Sequence, residues 1–153
     1  SSAPCGASSA QGSEVSPGEP MSLQLSVTVR NARLDAIETA VGTSAVLKVW
    51  SGSVPANCAA ADSGTLIASL SLPSDWLAAA SSGSKAKSGT WQDLSCDNSG
   101  TCGHFRIYAS DGTTCHLQGT CGTSGTDMIV DTASPTAGQS FTVSSFSLTD
   151  GNA

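Results

Sequence analysis

Between His104 and Thr149 apolar and polar positions alternate in short runs broken by turn residues. This pattern predicts four strands on which everything upstream must pack. Phe105, Ile107 and Ala109 make every second residue apolar, and Asp111-Gly112 stands where a hairpin must reverse. A two-residue turn there sets Phe105 against Gln118 and Ile107 against His116, which wastes the apolar face. A three-residue loop, Ser110-Asp111-Gly112 with Gly112 left-handed as a bulge, sets Ile107 against Cys115 and Phe105 against Leu117, and is preferred. Met128, Ile129 and Val130 form a short apolar strand, and a turn segment with Pro135 follows. Phe141 and Val143 share one parity, Phe146 and Leu148 the other, which places a bulge at Ser144-Ser145.

Upstream the period changes. Leu34, Ile37 and Val41 recur at helical spacing, Gly42 stands as the C′ residue, and Ser26 or Thr28 can cap the start. The spacing predicts one amphipathic helix over about 27–41, laid on one end or face of the sheet, with Arg30, Arg33, Asp35 and Glu38 as its solvated face. Residues 45–51 read as a strand, 52–64 as a loop, and 66–72 as a half-buried strand stopped by Pro73. A helical turn at 74–77, a long small-residue loop over 78–89 and a strand with Trp91 over 90–94 complete the run. Residues 1–20, with Val15 as their one strong apolar side chain, read as an extended arm. Seven or eight short strands and a single N-terminal helix define an all-β fold over 21–153. The expected architecture is a β-sandwich of jelly-roll or Greek-key topology.

Composition narrows the function. A chain of 153 residues makes one domain that buries roughly two-thirds of the surface its unfolded form exposes. Charged residues are 12% of the chain while Ser and Thr exceed a quarter of it, a profile common in assemblies and secreted modules. A net charge of −6 with six basic residues argues against nucleic acid, because phosphate binding needs clustered Lys and Arg. Lys85 and Lys87 come nearest to a cluster and read as part of a solvated loop. No apolar run is long enough to span a membrane, and the opening residues lack the charged and apolar regions of a signal peptide.

Candidate chemistry is sparse. Six cysteines, Cys5, Cys58, Cys96, Cys102, Cys115 and Cys121, include a C-x5-C-x12-C-x5-C run beside His104 and His116. Structural zinc prefers closer knuckles, so disulfides are favoured over metal, with the pairing left open among fifteen connectivities. Cys102 and Cys121 flank the hairpin and would staple its open end, a local Cys96–Cys102 clip competes, and Cys5 would anchor the arm. Cys115 reads as a small core-facing side chain. Cys115 and His116 point to opposite faces of a strand and cannot pair, and His104 falls with Arg106 and Tyr108 on an outer, exposed strand surface. No nucleophile elbow, P-loop or metalloprotease motif is present, so no catalytic residue, cofactor or metal is assigned. Trp50, Trp76 and Trp91 read as core or subunit interface. A sugar-stacking platform, and with it a carbohydrate-binding module, is the alternative.

Several stretches resemble a family of small tailed-bacteriophage and prophage virion proteins. They are Arg-Asn-Ala-Arg-Leu-Asp-Ala-Ile-Glu-Thr-Ala-Val-Gly-Thr-Ser-Ala-Val-Leu-Lys-Val at 30–49, Pro-Ala-Asn-Cys-Ala-Ala-Ala-Asp-Ser-Gly-Thr at 55–65 and Lys-Ala-Lys-Ser-Gly-Thr-Trp at 85–91. Gly-His-Phe-Arg-Ile-Tyr at 103–108 and Gly-Gln-Ser-Phe-Thr-Val at 138–143 extend the likeness to nearly everything after Met21. The arm and Cys96, Cys102 and Cys121 depart from the family pattern. The resemblance implies a non-enzymatic capsid decoration or cement protein in the virion, a homotrimer or homodimer bound to the major capsid protein, with a tail or neck subunit as a further alternative. Val29, Arg30, Arg33, Ile37, Trp50, Trp76 and Trp91 are the interface candidates, and added thiols fit reinforcement by disulfides outside the reducing cytosol.

Overall fold

The computed structural model describes residues 23–150, so the arm expected at 1–20, with Cys5, lies outside the described residues. One helix, α1 (Val27–Val41), precedes eight strands: β1 (Val46–Trp50), β2 (Leu66–Ser71), β3 (Ser84–Ala86), β4 (Gln92–Asp93), β5 (His104–Tyr108), β6 (Cys115–Gly122), β7 (Met128–Val130) and β8 (Phe141–Thr149). The strands form one mixed sheet in the order β2-β1-β5-β6-β7-β8-β3, with β4 also paired to β8. Among the described strands only β6 and β7 run parallel. Over the described residues the fold is therefore sheet-dominated with one helix, as the pattern predicts.

The sheet curls. Beyond β4, the Asp97 amide donates to the Ile67 carbonyl (2.8 Å) and the Asn98 side-chain amide to the Leu66 carbonyl (2.8 Å), while the Ser69 amide donates to Asp93 Oδ2 (3.0 Å). These bonds occupy the free edge of β2 with a segment that also joins β8, so the two ends of the ladder meet around one core. Leu47 and Val49 of β1, Ile67 and Leu70 of β2, Phe105 and Ile107 of β5 and Phe141, Val143 and Phe146 of β8 fill it. Trp76 and Trp91 are core residues too, both fully buried. Their ring centroids lie 5.9 Å apart, Trp91 sits 5.6 Å from Phe146, and Phe146 meets Phe105 edge-on at 5.5 Å. Each indole N–H is satisfied, on Gly42 O (2.9 Å) and Ser88 O (3.1 Å). Trp76 and Trp91 are thus withdrawn as interface or sugar-stacking residues.

The hairpin differs from the expected register by two residues. Ile107 faces Leu117 and Phe105 faces Gly119, while Tyr108, not Ile107, faces Cys115. Gly112 is left-handed (φ 72°) as expected. His116 is the extra residue of a bulge, which rotates Cys115 off the core face and onto the Tyr108 face. The bulge expected in β8 falls on Ser144, between the pairs Ile129–Ser145 and Val130–Val143.

The helix has the expected bounds. Ser26 Oγ accepts from the Val29 amide (3.2 Å), and the left-handed Gly42 returns its amide to Glu38 O. Its docking is not the expected one. Only Leu34 and Val41 are buried, and the face read as solvated is the one that holds the helix to the sheet. Arg33 Nε lies 3.1 Å from Asp150 Oδ2, Arg30 Nη1 donates to Asp150 O, and Asp35 and Glu38 both reach Lys85 of β3.

Candidate functional site

Every residue of β5 is buried, so both of its faces are covered. Phe105 and Ile107 enter the core. His104, Arg106 and Tyr108, read as an exposed surface, are 0%, 1% and 0% exposed because the 52–64 loop lies over them. Alternation alone reads that face as solvent, and a lid arriving from far upstream leaves no local signal.

Arg106 fastens the lid. Its Nη1 donates to Asp62 Oδ1 (2.5 Å), its Nη2 to the carbonyls of Asn57 (3.2 Å), Cys58 (3.0 Å) and Ala60 (3.0 Å), and its Nε to Gln118 Oε1 (3.2 Å). Gln118 passes the tether on, donating to Pro55 O (2.8 Å). Tyr108 donates to the same Asp62 oxygen at 2.5 Å, and Lys48 stands 5.1 Å over the Tyr108 ring while donating to Gly112 O. Burial disfavours the ionised Asp62, but the bonds from Tyr108 and Arg106 outweigh it and hold the carboxyl below its usual range. Burial, then the bond to Asp62, pushes the Tyr108 phenol up. A guanidinium that is 1% exposed with all three nitrogens already engaged offers no face to a phosphate or carboxylate ligand. The arrangement is a strut.

A second polar cluster sits in a groove of about 730 Å³ between α1 and residues 74–79. Lys85, expected in a solvated loop, is 2% exposed there. Its ammonium meets Asp35 Oδ1 (2.6 Å), Glu38 Oε1 (2.9 Å) and Ala78 O (2.9 Å), one acceptor for each proton. Burial alone would lower its pKa, yet the bonds to the two carboxylates raise it, so the amine stays protonated and is no nucleophile. The i, i+3 placement of Asp35 and Glu38 in a chain poor in charge was the signal that could have found this contact.

The remaining predicted positions separate. Val29 is 44% exposed and Arg33 exposed, Arg30 and Ile37 are half-buried on α1, and Trp50 is half-buried on β1. His104 Nδ1 lies 3.0 Å from Gly52 O, and His116 is exposed on its bulge. Cys96, Cys102 and Cys121 are buried, Cys58 and Cys115 half-buried, and all five are thiols. Among the described residues no group of three His, Cys, Asp or Glu could hold a metal ion, and no helix is long and apolar enough to cross a membrane. Comparison with family profiles, curated proteins and solved structures returned no match.

Proposed function

We propose that the chain is a virion structural protein of a tailed bacteriophage, a capsid decoration or cement protein that binds the major capsid protein as a homotrimer or homodimer. The two halves of the curled sheet act as the layers of a sandwich, and α1 supplies contact surface. The observation that carries this reading is the division of labour on α1. Its charged side is consumed in holding the helix to the sheet, which leaves Val29, 44% exposed, with the exposed Ala32 and Ala36 one and two turns on, on the side facing away. Apolar side chains left bare beside a charged, docked face are the kind that bury on association. The likeness of residues 30–49 and 103–108 to phage virion proteins supports the same reading.

Quantitative mass spectrometry of purified particles tests it. Hundreds of copies per particle are expected, a handful would move the protein to the tail or neck, and none would overturn the reading. The carbohydrate alternative loses its platform, since Trp76 and Trp91 are both fully buried.

A further inference from the structure

We infer that four of the thiols form two bridging pairs, Cys58 with Cys115 and Cys102 with Cys121, each placed to close as a disulfide, with Cys96 in neither. The inference is independent of where the protein resides.

The first pair follows from the strut. Cys115 opposes Tyr108 across the β5–β6 ladder and so shares its face. Directly over that face, Asp62 is held by both Tyr108 and Arg106, and Arg106 grips the Cys58 carbonyl at 3.0 Å. The lid therefore sets Cys58 above Cys115, near enough that the Cys58 thiol helps push Cys115 up. The second pair follows from the ladder. His104 opposes Thr120, so one step further brings Cys121 opposite Gly103, beside Cys102. Cys102 is pinned there by its amide on Ala133 O (2.8 Å), and Gly103 by its amide on Trp50 O (2.9 Å). Both sulfurs enter the core cluster.

Closure of either pair is a two-electron oxidation. With hydrogen peroxide as the oxidant, the Cys102 thiolate attacks one oxygen, the O–O bond breaks, and a sulfenic acid and hydroxide form. Cys121 then attacks the oxidised sulfur, the S–O bond breaks, and water leaves with the proton of the second thiol. Two thiols are oxidised and one peroxide is reduced to two waters, so each bridge removes two hydrogens from the protein. In the other pair, where burial and the Cys58 thiol push Cys115 up to about 11, closure follows the same two steps.

The test treats the folded full chain with one equivalent of hydrogen peroxide per pair, blocks remaining thiols with maleimide in acid-quenched denaturant, and maps the peptides. Peptides containing Cys58 and Cys115 are expected joined, as are those containing Cys102 and Cys121. The oxidised chain is expected to melt about 5–15 °C above the reduced one. Cys58→Ala and Cys121→Ala should each abolish one bridge and spare the other. Linkage of Cys96 to Cys102, of Cys58 to any partner but Cys115, or maleimide on Cys58, Cys102, Cys115 and Cys121 alike after peroxide would overturn the assignment.

Discussion

Arg106 Nη1 and Asp62 Oδ1 meet at 2.5 Å, joining the middle of the central strand to a loop that would otherwise leave β5 with one bare face. The pair is unequal. The Arg106 side chain is 2% exposed and that of Asp62 38%, so the buried partner depends on the half-exposed one. Asp62→Ala leaves the guanidinium charge uncompensated and should cost about 2–3 kcal/mol in urea unfolding, toward the low side of buried pairs because water reaches Asp62. Arg106→Met should instead loosen the lid, with the amides of Ala59 and Ala60 exchanging at least about tenfold faster while the β5–β6 ladder keeps its protection.

The Lys85 cluster carries the same asymmetry, with the cation as the buried partner. Asp35→Asn with Glu38→Gln strips both counter-charges from an ammonium that cannot reach water and should lower the midpoint of urea unfolding clearly. Lys85→Met removes the buried charge itself and leaves two carboxylates that can hydrate, so it should cost less. Equal losses in urea unfolding would mean that the lysine is not the buried partner.

Acid and base should act at separate places. Asp62 and Asp35 have folded pKa values below the ordinary 3.8, so their stabilisation is complete above about pH 4 and is lost as pH falls through the folded values. Asp111, held to about 2 by the Thr114 hydroxyl and the Thr113 and Thr114 amides, adds a loss between those limits. Lys85 is raised above 10.5, so its contribution is present below that pH and fades as pH climbs through the folded value. Thermal melts across pH should show a plateau between these edges, and Lys85→Met should remove the alkaline edge and shrink the acid one to what Asp62 and Asp111 supply, because Lys85 is the main cause of the low Asp35 value.

Indole emission reports the core. Trp76 and Trp91 are fully buried, so iodide should quench only Trp50, and no glycan should shift the spectrum. Trp91→Ala opens a cavity between Trp76 and Phe146 and should cost about 3–5 kcal/mol.

What could be read ahead of the structure was local. Leu34, Ile37 and Val41 with Ser26 and Gly42 define α1 within a few residues of one another, and the parity change across Ser144 marks its own bulge. The hairpin slipped because nothing in Cys115-His116-Leu117 distinguishes a bulge from a regular strand, and that slip alone turned Cys115 toward the wrong face. Arg106 and Lys85 were misjudged for a longer-range reason. Each looks solvated among its neighbours, and each is buried by partners some fifty positions away, Asp62 and Ala60 for one, Asp35 and Glu38 for the other. Trp76 and Trp91 fit core or interface equally well until the curl of the sheet decides.

Add-back to shells tests the central claim most directly. Purified chain is mixed with phage shells prepared without it, and bound copies are counted by sedimentation and gel densitometry, for the native sequence and for Val29→Glu. Saturable binding of the native chain and at least about tenfold weaker binding of the variant, with an unchanged melting temperature, are expected. Shells that take up neither chain, or both alike, would contradict it.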